Sequence, residues 1–250
     1  MRQPGYFRAL MIQDCSPPSI RCHAFGNLLV CVTSLPAVWA TLTDPAHAMD
    51  SRVYTDRSLF GSASRWPLVI INSLHLYHMV AWTSLNAAEY FHHLVFIPTL
   101  GFAGQVFTWG ALGNFQAFFI SGLPGGLDYL LLALVKDGRF GKMREKQWSA
   151  NLNVWCRCPG ILATTTLCYQ ALLYGRYSGT PLYAIGLQLT LPPWNALYYC
   201  KQSVANFAVH HMLTIYSEDR HIADRIKMRT SKLTGDRTLV WDVKKPQLAS

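Results

Sequence analysis

Apolar residues are gathered into long runs along this chain instead of alternating with polar residues at every helical turn. The run at 25–42 has 18 residues and no charged side chain, so it can cross ~30 Å of hydrocarbon. Further runs lie at 67–86, 159–175 and 180–200. A helix on the surface of a soluble domain carries only one apolar stripe. The pattern therefore predicts an all-α, polytopic helical transmembrane bundle.

Glycine and proline interrupt the middle of this pattern. The apolar runs at 88–103, 105–122 and 123–135 follow one another closely, and helix-breaking residues divide them: Pro98, Gly101, Gly104, Gly110, Gly113, Pro124, Gly125 and Gly126. Broken helices at membrane depth are tolerated where they line protein or a cavity. We therefore expect six or seven spans, some broken by Gly or Pro, and one of the broken segments is a candidate re-entrant loop.

The same pattern divides the chain into four parts. Residues 1–22 are polar and predict a disordered head. Residues 23–66 hold the first apolar segment and a polar linker; this segment is a span or a targeting signal, since 46–48 resembles a small-residue cleavage site. Residues 67–200 form the membrane domain. Residues 201–250 predict a basic cytoplasmic tail, for which an amphipathic helix lying on the membrane surface and a simple solvated tail both stay open.

Composition supports a membrane environment. Hydrophobic residues make up 51% of the chain and charged residues only 14%, below the quarter typical of soluble domains. The net charge of +9 is concentrated in the loop at 136–157 and in the tail. No arginine-rich helix or zinc-finger spacing accompanies it, which argues against nucleic acid. Basic loops beside apolar runs indicate a cytoplasmic face and contact with anionic lipids. We expect membrane lipids as partners, and further membrane-protein partners stay open.

Three ionisable residues stand at the head of an apolar run. Glu89, His92 and His93 are spaced i, i+3 and i+4, so a helix places them on one face. An ionisable group in a span costs on the order of 2.5 to 3.5 kcal/mol, which favours an inward position. A carboxylate can fix the tautomer of a neighbouring imidazole and support it as a general base. These three are the candidate catalytic residues; the alternative is hydrogen bonding in the headgroup layer.

Four more polar residues are candidates for substrate binding. His75 and His78 repeat the i, i+3 spacing one span earlier. Asn114 adds a neutral hydrogen-bonding group, and Asp128 follows the Pro-Gly-Gly break, where an acid can equally serve as an ordinary helix cap. Two such helices in contact would bring four imidazoles together. The sequence therefore predicts a polar cavity inside the bundle.

The order of these features resembles the TLC-domain family, which includes ceramide synthases and translocating-chain-associated proteins. The resemblance rests on EYFHHLVF, GALGNFQAFFISG and LPGGLD, followed by a basic loop and two final spans, and it covers residues 67–200. It implies a protein that binds, senses or modifies lipid in the endoplasmic reticulum or a related endomembrane, with another organelle membrane also open. For an enzyme it implies acyl transfer by His92 and His93, with acyl-CoA as co-substrate and Asp128 matching the acids of the next span.

Two alternatives stay open. The first is a non-catalytic membrane subunit or transporter that uses the broken spans as a pathway. The second is a membrane desaturase or hydroxylase with two irons, for which the candidate ligands are His75, His78, His92, His93, His210 and His211. These six form no complete histidine box. The sequence therefore predicts no metal site and no bound cofactor.

Overall fold

The computed structural model describes residues 17–50, 58–81 and 87–218. These parts of the chain are helical and contain no strand. The α-helices are α1 (Pro17–Thr43), α2 (Pro45–Ala48), α3 (Trp66–Ala81), α4 (Ala87–Phe96), α5 (Ala103–Val106), α6 (Ala111–Ala117), α7 (Leu123–Lys136), α8 (Lys142–Leu152), α9 (Cys158–Leu173) and α10 (Leu182–Glu218). The all-α prediction is confirmed for the described residues.

Three π-helical segments join pairs of these helices without a break. Ile97–Phe102 joins α4 to α5, Phe118–Gly122 joins α6 to α7, and Asn153–Arg157 joins α8 to α9. A proline lies within the first segment or just after the others: Pro98, Pro124 and Pro159. Proline has no N–H and its ring clashes with the carbonyl four residues earlier, so the helix widens locally. Such segments are frequent at functional sites.

Helix α1 packs against several other helices of the bundle. It packs most extensively against α7 and also contacts α3 and α6. Glycines permit the close approach of α7, since a Cβ atom added at Gly122 or Gly126 would press on α1. Small residues at such a contact let two helix backbones come together, as is common between helices in membranes.

Two helical stretches in the described parts of the chain are long and apolar enough to cross a membrane, by length and composition. They are Ser19–Thr43 and Ala111–Lys136. Large apolar side chains also face outward, among them Phe25 at 68% and Trp39 at 73% exposure on α1. Exposed apolar surface of this kind marks an interaction surface, such as one for lipid. Both findings indicate membrane association, and the other spans of the expected six or seven stay predictions.

Several predicted boundaries differ from the structure. Residues 105–122 and 123–135 were expected to be separate spans, but 111–136 is one helix because a π-helical segment accommodates Pro124. Residues 17–22, expected in the disordered head, belong to α1. The final span and the candidate surface helix of the tail are one helix, α10. The rest of the head and of the tail lies outside the described residues.

Candidate functional site

A cavity of about 410 Å³ lies inside the bundle. Side chains from α1, α3, α4, α6, α7, α8 and α10 line it, and so do residues of all three π-helical segments. Five of the nine histidines reach it, and we call them the histidine cluster: His23, His75, His78, His92 and His93. The sequence thus places more than half of its imidazoles around one internal space.

The five rings of the histidine cluster form a continuous set of contacts. The ring centroids of His75, His92 and His93 lie 5.2 to 5.6 Å from one another. His78 joins them with its centroid 4.8 Å from that of His93. His23 of α1 contacts His78 at 5.2 Å. Imidazoles this close cannot all be protonated, because like charges repel and burial disfavours charge.

Backbone carbonyls set the tautomers of two of these rings. Nδ1 of His75 donates to the carbonyl of Ile71 at 2.7 Å, and Nδ1 of His23 donates to that of Ser19 at 3.2 Å. In the neutral ring the other nitrogen, Nε2, then carries the lone pair. Nε2 of His23 lies 3.3 Å from Nδ1 of His78, which therefore donates to it. The result is a directed chain of neutral imidazoles that presents acceptor nitrogens to the cavity.

His92 and His93 differ from His75 and His23 at the Nδ1 ring nitrogen. The Nδ1 atom of each is buried and has no hydrogen-bond partner among the described residues. The ring of His92 packs against Phe96 at 5.0 Å and Tyr199 at 5.5 Å. A buried nitrogen without a partner costs about 1–3 kcal/mol. These two nitrogens are thus available to something bound in the cavity.

A group of charged side chains lines another part of the cavity. This charged group consists of Asp128, Glu145, Lys146 and Arg157. Glu145 and Lys146 form an ion pair at 3.1 Å in which both side chains are largely buried. Arg157 lines the same cavity as Asp128 and His92. The charged group and the histidine cluster therefore face one common space.

Three hydrogen bonds through Asn153 position Arg157. Its guanidinium donates from Nη1 to Oδ1 of Asn153 at 2.6 Å. The amide nitrogen of Asn153 donates to the carbonyl of Ser149 at 2.9 Å and to Oγ of Ser203 at 3.1 Å. Asn153 thereby ties α8 to α10 and fixes the guanidinium. Nε of Arg157 has no partner in the described structure, which leaves a donor for a ligand.

The structure places some of the site residues predicted from the sequence in the cavity wall and others outside it. His75, His78, His92, His93 and Asp128 line the one cavity. Asn114 does not, because its amide donates to the carbonyls of Ser62 at 3.0 Å and Ser64 at 2.8 Å and so holds the loop before α3. The amide of Asn114 thus has a structural role, and its expected role in substrate binding stays a prediction. Glu89 lies on α4, but its side chain is outside the described part of the structure.

Other cavity residues were not found from the sequence. His23 was assigned to the first apolar segment. Its i, i+4 spacing with Asn27 could have indicated a polar face on this helix, since both residues line the cavity. Arg157 and the Glu145–Lys146 pair were assigned to a basic loop on the cytoplasmic face. His210 is outside the cavity lining and donates to the carbonyl of Asn206. Burial lowers the pKa of His210, and the charges of Lys142 and Lys146 act in the same direction.

The cavity also has a geometry suited to a metal ion. One ring nitrogen from each of His75, His92 and His93 lies within 4.8 Å of the others, and we call these residues the three-histidine group. No metal was expected from the sequence, because the histidine boxes are incomplete. The convergence of rings from α3 and α4 depends on packing, which spacing along the chain does not reveal.

Comparisons with models of known protein families, with curated proteins and with solved structures find no match to this chain.

Proposed function

We propose that this is an integral membrane protein that binds a lipid within the cavity, with the headgroup at the histidine cluster and the charged group. The observation that carries the proposal is the cavity itself. It holds about 410 Å³, within the range of small-molecule sites, and lies in a bundle with two helices able to cross a membrane. A space with both polar and apolar walls suits an amphiphile.

The two kinds of wall support this choice of ligand. Leu68, Ile71 and Leu74 of α3 provide apolar surface, and other parts of the chain add Leu100 and Leu132. The polar wall offers acceptor nitrogens from the imidazoles and the donor Nε of Arg157. Charge-assisted hydrogen bonds to an anionic oxygen are strong ones. We therefore propose a lipid whose headgroup carries an acceptor oxygen for Arg157 and a donor for the imidazoles.

We also propose that the protein is TLC-like and has six or seven spans. Its partners are membrane lipids, and it resides in the endoplasmic reticulum or a related endomembrane. The apolar outer face, the internal polar cavity and the paired histidines support these proposals.

Filling the apolar side of the cavity should remove the bound lipid. Ile71→Trp adds volume to a cavity wall while leaving the backbone carbonyl that binds His75 in place. We expect the lipid that copurifies in mild detergent to fall about tenfold, equivalent to about 1.4 kcal/mol. Mass spectrometry of extracted lipid, normalised to protein, measures the change.

Val69→Trp is the matched control, because Val69 is 38% exposed on the same helix and does not line the cavity. Its lipid content should equal that of the wild type. Equal lipid content in both variants, or no lipid in the wild type beyond that in an unrelated membrane protein, would contradict the proposal.

Acyl transfer is the catalytic form of the proposal, favoured by the unpartnered Nδ1 atoms of His92 and His93. A neutral imidazole can take the proton of a lipid amine as the amine attacks an acyl-CoA thioester. The C–N bond forms, the C–S bond breaks, and the proton passes to the departing thiolate. The structure brings these rings to the cavity wall, where both reactants could meet.

An acyl-CoA assay in reconstituted membranes tests this form. His92→Ala and His93→Ala should each abolish the acylated product, whereas His47→Ala, at an exposed histidine outside the cavity, should not. Unchanged product in both cavity variants would remove their catalytic role. If both variants fold and no lipid species changes, the non-catalytic subunit or transporter is the better assignment.

A further inference from the structure

We propose that the three-histidine group binds a divalent transition-metal ion, with Zn²⁺ the best fit. His75 comes from α3, and His92 and His93 come from α4. The site goes beyond the lipid-binding function and does not depend on it. It also runs against the expectation of no metal from the sequence.

The spacing of the ring nitrogens is close to that of a metal site. The three candidate ligand atoms lie within 4.8 Å of one another. A tetrahedral ion with bonds of about 2.0–2.1 Å places its ligand nitrogens about 3.3 Å apart. The three rings already lie in contact, with centroid distances of 5.2 to 5.6 Å, and metal binding would draw their nitrogens closer together.

Two further observations point to a ligand at these rings. Nδ1 of His75 donates to the carbonyl of Ile71, so its Nε2 presents a lone pair. Metal-ligating histidines almost always donate their other ring N–H in this way, which fixes ring and tautomer. The Nδ1 atoms of His92 and His93 are buried without hydrogen-bond partners among the described residues. A metal ion would engage side chains that the protein alone leaves unsatisfied.

The donor set favours zinc. Imidazole suits Zn, Cu, Fe and Ni, whereas Cu(I) and Fe–S clusters are selected by thiolate or thioether ligands. No cysteine is among the described residues of the cavity lining, and the group has no described carboxylate of the kind that a two-histidine, one-carboxylate iron site needs. Three histidines with a fourth position open to solvent or substrate are a known zinc arrangement. The cavity provides space for that fourth ligand.

Metal binding would change the chemistry of the cavity. A ring nitrogen bound to zinc has no lone pair left for a proton, so that nitrogen could not serve as the base. The open coordination position would instead hold water or an oxygen of a bound headgroup. Zinc at the Nδ1 atoms of His92 and His93 would therefore exclude the acyl-transfer form of the proposed function, whereas lipid binding through Arg157 would still be compatible with it.

Zinc binding by the purified full-length chain tests the proposal. The protein is prepared in detergent through a tag without histidine, stripped with chelator and titrated with zinc alone. We expect about one zinc per chain by elemental analysis. Cobalt in place of zinc should give the visible absorption of a tetrahedral site.

Variants of the three ligands define the site. His75→Gln, His92→Gln and His93→Gln should each weaken zinc binding at least tenfold. His47→Gln and His211→Gln are the controls, because both residues are exposed and outside the cavity lining. Both controls should bind zinc as the wild type does. Thermal melting of the metal-free variants identifies any that fail to fold.

Either of two results would overturn the proposal: no stoichiometric zinc and no tetrahedral cobalt spectrum in the wild type, or unchanged zinc affinity in all three ligand variants. The wild-type result holds even if a variant does not fold. Because the titration contains no added lipid, its outcome is separate from the lipid measurement on Ile71→Trp. Zinc binding by a wild-type protein that holds no lipid would contradict only the proposed function.

Discussion

Alanine at Gly122 is expected to destabilise the bundle by about 1–3 kcal/mol, the usual cost of overpacking a close contact. A Cβ atom there would lie 3.0 Å from Cα of Cys31 and 3.1 Å from its backbone nitrogen. Both are main-chain atoms of α1, so no change of side-chain rotamer relieves the contact. Helices α1 and α7 must therefore separate, and the midpoint of thermal unfolding in detergent should fall.

Gly126 provides a comparison within the same interface. A Cβ atom there would meet the side chain of Leu28 at 2.9 and 3.0 Å and the backbone nitrogen at 3.1 Å. Leu28→Ala removes the side-chain atoms, so it should partly rescue Gly126→Ala. Contacting residues commonly show such coupling in a double-mutant cycle. No substitution at Cys31 should rescue Gly122→Ala in this way.

Gly179→Ala is the control for both changes. No atom lies within 4 Å of a Cβ there, and this exposed glycine does not have a left-handed φ. Its unfolding midpoint should match that of the wild type. A Gly122→Ala protein as stable as this control would show that α1 and α7 do not depend on close contact at this glycine.

Separation of α1 from α7 should also change the shape of the cavity. Ser121 donates to Oδ1 of Asn27 at 2.7 Å across this interface, and both residues line the cavity. His23 is carried by the same helix, α1. The glycines therefore connect the packing of the bundle to the position of the histidine cluster.

Helical spacing predicted the part of the site that depends on local geometry. His92 and His93 lie on one helix and His75 and His78 on another, and their positions follow from a period of about 3.6 residues. The α3 and α4 rings meet, as the structure shows. These four residues could be named because each stands out as a polar group in an apolar run.

The remaining residues depend on packing between distant segments. His23 reaches His78 across 55 positions of the chain, and only the packing of α1 against α3 explains that contact. Arg157 ends a π-helical segment, and it faces inward because Asn153 holds it there. Asn114 had the right composition for a cavity wall but is used to hold a loop. Residue type alone could not distinguish these roles.

Leucine at Asn153 is expected to cost about 3 kcal/mol or more, since it removes a hydrogen bond to a charged group and two to neutral ones. Asn153 is fully buried, at 0% exposure. Without its Oδ1 atom, the Nη1 group of Arg157 loses its acceptor inside the protein. A hydrogen bond to a charged group contributes about 1.5–3 kcal/mol, so this loss is the largest of the three.

The unfolding midpoint and the lipid content of Asn153→Leu should therefore fall together, because Arg157 loses both its anchor and its orientation toward the cavity. Asn151→Leu is the matched control: it makes the same substitution on α8 at an exposed position and should leave both quantities unchanged. Asn153→Asp keeps an acceptor for the guanidinium but loses the donors to Ser149 and Ser203. It should lie between the wild type and the leucine variant in stability, and retain more lipid than leucine does. If aspartate and leucine prove equally damaging, the contribution of Asn153 lies in the contact between α8 and α10 and not in the orientation of Arg157.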